Sequence, residues 1–397
     1  MSLNATPSSN RVHLSFFGCR NAGKSSLVNQ VTGQKLSVVS DVPGTTTDPV
    51  SKAMEILPLG PVLIIDTPGY DDEGTLGALR VEKTLQVLRH TDVAVLVVDG
   101  QTGPREADRA LLELFRQREI PYLAVWNKCD LVPAPEGYFA ASALEGTNIH
   151  LLRETLARLA LPAESDRGLV RDLISAGDRV LLITPIDQSA PKGRMILPQQ
   201  QVLRDILDVD AIAVVARETQ IAAALQGLCA PPKLAVTDSQ VFSLANREVP
   251  PEIPLTSFSI LMARSKGILK DAVEGARALD ALSPGDKVLI SEGCTHHRQC
   301  EDIGTVKLPK WLRAHAGCDL EFHFTSGGEF PEDLTPFRLI IHCGGCMLNE
   351  REMRYRRRLA REQGVPMTNY GIAIAHMRGI LARSIAMLPE VRAAECP

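Results

Sequence analysis

One short segment, residues 18–25, constrains the fold of this 397-residue chain more than any other part of its sequence. It reads GCRNAGKS, it follows the apolar run VHLSFF, and it precedes SLVNQVTG, which has helical spacing. Its glycines let the backbone curl, so that its N–H groups and the helix N-terminus face one point. Such a loop binds phosphate groups, because its N–H groups donate to their oxygens. The segment therefore predicts a strand, a phosphate-binding loop and a helix, in that order.

Apolar runs alternate with helical patterns over residues 11–165, after a lead at 1–10 that reads as disordered. Such alternation is typical of buried parallel strands, each followed by a turn and a helix. A second α/β series spans 170–263, in which LTSFSILMAR is one of the strand-like runs, and a third unit spans 264–397. The predicted fold class is α/β, with an N-terminal phosphate-binding domain followed by two smaller α/β domains with mostly parallel sheets.

Two further motifs stand at the ends of predicted strands. DTPG (66–69) ends VLIID, and NKCD (127–130) ends YLAVW. The Asp130 carboxylate can accept hydrogen bonds from guanine N1 and its 2-amino group, a donor pair that adenine lacks. The sequence thus predicts a GTPase site with Mg²⁺, in which Lys24, Thr46, Asp66 and Gly69 are catalytic and Ser25 and Thr46 are Mg²⁺ ligands. The predicted nucleotide contacts are Gly18, Asn21, Ala22, Gly23, Lys24, Ser25, Ser26, Thr46, Asp66, Gly69, Asn127, Lys128, Asp130, Ser142 and Ala143.

GxxNAGKSSL and GTTTD resemble the translation-factor-related GTPases, within them the group that includes the tRNA-modifying GTPase MnmE and Era. The resemblance implies that Asn21 helps to bind a K⁺ beside the phosphates, which takes the place of an arginine finger. The alternative for Asn21 is a loop residue that satisfies its own backbone. Tyr70 follows DTPG where Ras-like proteins have glutamine, and this predicts slow intrinsic turnover.

Cysteine and histidine cluster at two points in the third unit. Cys294 and His296 follow the predicted strand DKVLISEG, and His342, Cys343 and Cys346 end FRLIIH. The carboxyl ends of parallel strands meet at one edge of a sheet, so one metal can reach both groups. The donors suit either a [4Fe–4S] cluster or zinc, and buried unligated cysteines are the alternative.

CxH followed by HCxxC behind a GTPase resembles the HydF family, the GTPase scaffolds of [FeFe]-hydrogenase maturation; PIDxxAPKGRMILPQ (185–199) also resembles that family. The resemblance implies a [4Fe–4S] cluster on Cys294, Cys343 and Cys346. It leaves His296, His342, Asp187 or an exogenous group for the fourth position. It further implies a homodimer through 170–263, a transient two-iron subcluster as cargo, apo-[FeFe]-hydrogenase as acceptor, and two radical-SAM maturases as partners.

The composition and charge of the chain limit its possible functions and locations. A formal charge of −4 argues against a nucleic-acid-binding protein. We expect no membrane span and no secretory signal, and hence a cytoplasmic protein without a disulfide framework. A GTPase of tRNA modification or ribosome assembly, and a GTP-dependent regulator with a structural zinc, are the alternative functions. The basic run RYRRRLAR (354–361) is interpreted as a solvated helix face, because glutamates flank it.

Overall fold

The computed structural model describes residues 6–34, 49–70, 75–160, 168–186, 195–293 and 302–392. The chain divides into two compact units, Met1–Ala163 and Glu164–Pro397. The elements of the first unit are β1 (Val12–Phe17), α1 (Lys24–Thr32), β2 (Val50–Ile56), β3 (Gly60–Asp66), α2 (Thr75–Arg89), β4 (Val93–Asp99), α3 (Glu106–Gln117), β5 (Tyr122–Asn127), β6 (Phe139–Ala140) and α4 (Ile149–Ala160).

The described strands of the first unit form one sheet in the order β2-β3-β1-β4-β5-β6. All neighbours are parallel except β2, which pairs antiparallel with β3. A hydrophobic core packs on each face of the sheet, and β4 is buried along its whole length. The phosphate loop, DTPG and NKCD follow β1, β3 and β5, so the parallel arrangement brings all three motifs to the carboxyl edge.

The second unit contains two parallel four-stranded sheets in its described residues, ordered β10-β9-β7-β8 and β12-β11-β13-β14. One continuous hydrophobic core runs through both sheets and their helices. The elements are β7 (Arg179–Ile183), α5 (Leu197–Leu207), β8 (Ile212–Ala216), α6 (Ile221–Gln226), β9 (Leu234–Thr237), α7 (Phe242–Glu248), β10 (Leu255–Ser257), α8 (Phe258–Ser265), α9 (Leu269–Ala276), β11 (Lys287–Glu292), α10 (Leu308–Ala316), β12 (Glu321–Ser326), β13 (Leu339–His342), α11 (Glu350–Glu362), β14 (Met367–Asn369), α12 (Tyr370–Met377), α13 (Leu381–Ile385) and α14 (Pro389–Arg392).

Two arginines, one buried and one half-buried, join distant parts of this unit. The Arg264 side chain on α8 donates to Asp172 Oδ1 at 2.8 Å and to Glu390 Oε1 at 2.9 Å. These two bonds link the first residues of the second unit to α14. Arg383 on α13 donates to the carbonyls of Val249 and Pro250 at 3.0 and 2.7 Å. The bonds of Arg264 pair its buried charge with two carboxylates, and those of Arg383 satisfy two backbone carbonyls.

The strand predicted over LTSFSILMAR is wrong beyond its first three residues. β10 ends at Ser257, whose Oγ accepts from the Ile260 amide at 3.2 Å and so caps α8. Nearly every residue of α8 is buried, which removes the helical periodicity that a surface helix would show. An apolar run of this length fits a buried strand and a buried helix equally well.

None of the helices in the described ranges combines the length and hydrophobicity that crossing a bilayer requires.

Candidate nucleotide site and metal centre

The loop between β1 and α1 has a backbone that only glycine fits at two positions. Gly18 has φ +138°, and a Cβ there would lie 2.3 Å from the Val97 carbonyl oxygen. Gly23 has φ +86°, and its Cβ would lie 2.2 Å from Asn127 Nδ2. A side chain at either position would clash and strain the backbone. The loop therefore packs against β4 and the NKCD motif with no space to spare.

Lys24, Ser25 and Asp66 meet beside this loop. Lys24 Nζ donates to the carbonyls of Gly18 and Cys19 at 2.9 and 2.7 Å, which holds the ammonium across the loop. Ser25 Oγ donates to Asp66 Oδ2 at 2.6 Å. The other carboxylate oxygen, Asp66 Oδ1, is buried and has no hydrogen-bond partner among the described residues. A buried, unpaired acceptor beside a serine hydroxyl fits a hydrated Mg²⁺.

The base-recognition segment is braced by Asn127. Its Nδ2 donates to the Ala22 carbonyl at 2.9 Å, and its Oδ1 accepts from the Ala143 amide at 3.0 Å. One side chain thus ties the phosphate loop to the loop after β6. Lys128 has φ +64° and reaches Asp99 Oδ2 at 2.7 Å, while Asp130 is exposed. The arrangement leaves the Asp130 carboxylate facing solvent, where a base can approach.

Ser142 and Ala143 lie in an anchored loop. Ser142 is fully buried, and its Oγ accepts from the Glu145 amide at 3.1 Å. The Ala143 carbonyl accepts from Gln30 Nε2 at 2.9 Å, which fixes the loop to α1. In this arrangement the Ala143 amide is committed to Asn127, so Ser142 and Ala143 hold the loop in shape through bonds within the protein.

The remaining predicted nucleotide residues are placed as follows. Asn21 is exposed with φ +62°, Ala22 is buried, and Ser26 is half-buried in the first turn of α1. A Cβ at Gly69 would lie 3.0 Å from the Arg20 amide nitrogen, so DTPG passes close to the phosphate loop. The Tyr70 amide donates to the Gly18 carbonyl at 3.4 Å. Thr46 and the GTTTD segment lie outside the described residues.

In the second unit, Cys343 lies at the carboxyl edge of the sheet formed by β11 to β14. β11 and β13 are parallel neighbours, with Ser291 opposite His342. The Cys343 sulfur accepts from the amides of Gly293 and Gly345 at 3.0 and 3.3 Å. Gly345 has φ +64°, and a Cβ there would meet the Met353 sulfur at 3.0 Å. This glycine lets the chain turn back so that Cys346 follows on the same edge.

Burial controls the protonation of both thiols. It raises the pKa of Cys343, and the amides of Gly293 and Gly345 act in the opposite direction. Burial also raises the pKa of Cys346 to about 12, with the neighbouring Cys343 as the second cause. Without a metal both groups are therefore neutral thiols, and a metal that binds here must displace their protons.

His342 does not present a free ring nitrogen in this arrangement. It is fully buried, its Nδ1 bonds the Cys343 carbonyl at 2.8 Å, and its Nε2 accepts from Arg356 Nη1 at 3.0 Å. Burial, with Arg356 as the second cause, lowers the pKa of His342 to about 3, so the ring is neutral. As placed, this predicted ligand braces the CxxC loop through the Cys343 carbonyl.

Arg356 is the residue that sequence reasoning missed. The basic run was interpreted as solvated, yet this guanidinium is fully buried. It donates to Glu352 Oε1 at 2.8 Å, Ser291 Oγ at 3.2 Å and the Gly327 carbonyl at 2.8 Å. The sequence feature that could indicate this ion pair is the i,i+4 spacing from Glu352 to Arg356. Exposed ion pairs on the same helix have the same spacing, so it does not reveal burial. The interpretation as a solvated face is thus wrong for this position.

A buried acid and a phenol also flank the thiols. Glu292 ends β11 and is buried, and Tyr370 donates to its Oε1 at 3.2 Å. Burial raises the pKa of Tyr370 well above its ordinary value, with Glu292 and Cys343 as further causes. No motif in the sequence marked either residue, because their proximity depends on the pairing of strands far apart in the chain.

The described part of the site fits an iron–sulfur cluster. Two cysteines lie at one sheet edge, and two backbone amides already donate to one of the sulfurs, as they do around cluster thiolates. Cys294 directly follows Gly293, whose amide bonds Cys343, although Cys294 itself lies outside the described residues. His296 and Asp187 lie outside them as well.

Comparison with known proteins identifies the family to which each unit belongs. The first unit is a P-loop GTPase domain, the class of domain that hydrolyses GTP, because residues 13–128 match the family described as 50S ribosome-binding GTPase. Residues 169–267 match the Hydrogen maturase F dimerization domain, and residues 270–387 match the Hydrogen maturase F tetramerization domain. The two models together cover more than half of the chain, and the chain belongs to the hydrogen maturase F family, a family of hydrogenase maturation.

Individual relatives share only part of the chain. The tRNA modification GTPase MnmE of Synechococcus sp. (strain JA-2-3B'a(2-13)) is 38% identical over 158 residues, which cover 37% of this chain and 34% of MnmE. GTPase Der of Kosmotoga olearia is 32% identical and covers 46% of this chain and 45% of Der. The chain thus spans about a third to a half of these relatives' lengths. Aquifex aeolicus Era bound to GDP.AlF4⁻ is a similar solved structure, with 21% identity, a TM-score of 0.35, and coverage of 52% of this chain and 92% of Era.

Proposed function

We propose that this chain is a GTP hydrolase and an iron–sulfur scaffold that delivers the two-iron subcluster precursor to apo-[FeFe]-hydrogenase. The observation that carries the proposal is the pair Cys343 and Cys346, at the carboxyl edge of a sheet in a unit that matches the hydrogen maturase F domains. A GTPase domain precedes that unit in the same chain. The donor set suits both metals, and the family match favours iron–sulfur over the zinc alternative.

In the first unit, each residue has a role that its position supports. The Lys24 ammonium, now held by two loop carbonyls, turns to the β- and γ-phosphates as their charge enters the loop. Asp66 and Ser25 hold Mg²⁺, which neutralises phosphate charge, and Thr46 completes that set. The Gly69 amide donates to the γ-phosphate. Asp130 accepts from the guanine edge while Asn127 keeps its segment in place.

Turnover in this site is slow without an additional cation. Tyr70 occupies the position after DTPG, and its phenol cannot orient an attacking water as a glutamine amide does. Asn21, exposed at the tip of the phosphate loop, supplies an amide oxygen to K⁺. The monovalent ion adds positive charge where the transition state develops negative charge.

The K⁺ assignment predicts a cation-dependent rate. At equal ionic strength, GTP hydrolysis in KCl should exceed that in NaCl by at least about tenfold, because Na⁺ is too small for the same oxygen ligands. Asn21→Ala should bring the rate in KCl down to the rate in NaCl while it leaves GTP affinity nearly unchanged. Steady-state phosphate release measures the rates, and equal rates in the two salts would exclude the K⁺ role.

In the second unit, Cys343 and Cys346 with Cys294 hold a [4Fe–4S] cluster. The amides of Gly293 and Gly345 stabilise the Cys343 thiolate, and His342 with Arg356 keeps the loop in the geometry that presents both sulfurs. With His342 engaged in that bracing, the fourth position falls to His296, Asp187 or an exogenous group. When bound, the cluster supplies an exchangeable iron position to which a ligand of the cargo can attach.

The cargo is a two-iron subcluster that bears carbonyl and cyanide ligands. Two radical-SAM maturases supply it, apo-[FeFe]-hydrogenase receives it, and the state of the GTP site gates the exchange of partners. The chain works as a homodimer through residues 170–263, in keeping with the dimerization domain matched at 169–267.

Substitution of the cysteines tests the cluster. After anaerobic reconstitution with iron and sulfide, Cys343→Ser should lose the cluster, with iron retention falling from about four atoms per chain to background. GTP hydrolysis should stay within about twofold of the wild type, because each unit packs its own core. Iron analysis and visible absorption measure the first effect, and phosphate release measures the second.

Cys318→Ser is the matched control. Cys318 precedes β12 and is half-buried, so it lies toward the amino ends of the strands, opposite the edge that carries Cys343. This variant should keep the full iron content. Equal iron content in Cys343→Ser and Cys318→Ser would contradict the proposal. If Cys343→Ser lost its fold along with its iron, the same measurement would be made on Cys346→Ser.

A further inference from the structure

Three side chains of metal-ligating type converge at a second place in the second unit. Asp280 lies in a short 3₁₀ turn, Arg277–Ala281. His315 lies in the last turn of α10, and His376 lies in the last turn of α12. α10 packs against both the turn and α12, so the fold holds the three side chains near one another. Neither the nucleotide site nor the thiol site uses any of them.

The donor atoms are close to the geometry of a metal site. His315 Nε2 lies 2.9 Å from Asp280 Oδ1, and His376 Nε2 lies 2.9 Å from Asp280 Oδ2. One donor atom from each residue can be chosen so that all three lie within 4.8 Å of one another. In a tetrahedral site, zinc–nitrogen bonds of about 2.1 Å place the two nitrogens about 3.4 Å apart. Reaching that separation from the 4.8 Å bound takes a movement of at most about 1.4 Å, which rotation of the two histidine side chains can supply.

The surrounding backbone favours a cation at this point. His315 and His376 both stand at helix C-termini, where unpaired carbonyls and the helix dipole carry partial negative charge. The Asp280 carboxylate adds a full negative charge between the two rings. The two helix ends therefore converge on one anion and present imidazole nitrogens toward it.

The three side chains are also accessible to an ion from solution. The exposed fractions are 26% for His315, 20% for His376 and 58% for Asp280. We propose that Asp280, His315 and His376 bind a divalent first-row transition ion of the zinc type, with the remaining coordination positions open to water. Two imidazoles and one carboxylate are a ligand set of this class.

This site is separate from the thiol site. α12 begins at Tyr370, which bonds Glu292 beside the thiols, and His376 lies six residues further along the same helix. At 1.5 Å per residue the two ends are about 9 Å apart along the helix axis. An ion on His376 is therefore out of reach of Cys343, and each site can be tested without the other.

Co²⁺ binding to the tag-free, full-length protein tests the proposal. Wild type should retain one more Co²⁺ per chain at equilibrium dialysis than either His315→Gln or His376→Gln. The difference spectrum should show weak visible d–d bands without thiolate charge-transfer absorption, because the ligands are nitrogen and oxygen. The dissociation constant for this ion should rise at least about tenfold in either variant.

His150→Gln, which changes an exposed histidine of the first unit, should bind Co²⁺ like wild type. Glutamine at 315 or 376 still donates a hydrogen bond to Asp280, so the variants should fold, and circular dichroism verifies this. Asp280→Asn provides a third variant that should also lose the ion.

The proposal is overturned if wild type and all three variants retain equal Co²⁺. It is equally overturned if the difference spectrum carries thiolate bands, since the ion then sits on cysteines. In both cases Asp280, His315 and His376 would form a hydrogen-bonded group that holds no metal.

Discussion

The Asp130→Asn variant is expected to bind xanthosine triphosphate in preference to GTP. The Asp130 carboxylate is exposed and bonds to no residue in the described ranges, while Asn127 fixes the segment around it. Guanine N1 and its 2-amino group lose a shared anionic acceptor in the variant. Each charge-assisted bond contributes about 1.5–3 kcal/mol, so the loss of GTP affinity should be at least about 100-fold. Xanthine carries a carbonyl oxygen where guanine has the amino group, and the asparagine amide can donate to it.

Equilibrium titration with GTP and with xanthosine triphosphate measures the two dissociation constants and so this change of specificity. Glu136→Gln is the matched control, since it removes a carboxylate from the same exposed stretch of chain after β5. It should leave the affinity for GTP unchanged. If Asp130→Asn bound both nucleotides as wild type does, guanine recognition by this carboxylate would be excluded. A loss of both affinities together would point to a distorted loop.

Glu352→Gln is expected to destabilise the second unit by about 3–5 kcal/mol. Its carboxylate is the counter-ion of Arg356, at 2.8 Å, and neither side chain is accessible beyond 6%. The variant keeps the shape of the side chain but leaves a buried guanidinium without a negative partner. The three other bonds of Arg356, to His342, Ser291 and the Gly327 carbonyl, depend on the same orientation. Urea unfolding followed by circular dichroism measures the change.

Glu350→Gln, two residues earlier on α11, provides the comparison. Its partner Arg354 is 60% exposed, and a solvent-exposed pair contributes at most about 1 kcal/mol. Equal losses of stability in the two variants would show that burial of the Arg356 pair has no energetic consequence. A large loss in Glu352→Gln alone would confirm that the buried ion pair stabilises the second unit.

The regular part of the fold was predictable from periodicity and turn chemistry. The run VAVLVVD coincides with β4, and the helix predicted around RYRRRLAR is part of α11, which begins at Glu350 with Asn349 as its cap. β2 is an edge strand whose residues are mostly exposed, so it lacks the buried apolar run by which the other strands of this sheet are recognised. The sequence predicts a strand where the buried helix α8 lies, since a segment buried on all sides loses the period that distinguishes the two.

The candidate sites were predictable where spacing along the chain determines geometry. Lys24, Ser25 and Asp66 came together because their motifs end neighbouring parallel strands. Spacing did not reveal that His342 faces Arg356, nor that Arg356 is buried, because both depend on how α11 packs over the sheet. Long-range packing of this kind leaves no local pattern, and Glu292 and Tyr370 escaped notice for the same reason.

Metal analysis of the wild-type chain tests the central claim most directly. Protein purified and reconstituted without oxygen should be brown and hold about four irons and four sulfides per chain, with the cluster lost in Cys343→Ser but not in Cys318→Ser. GTP hydrolysis measured on the same sample should persist in all three proteins. A colourless protein that holds zinc on its cysteines after iron and sulfide reconstitution would contradict the account, and the chain would then be a GTPase with a structural zinc.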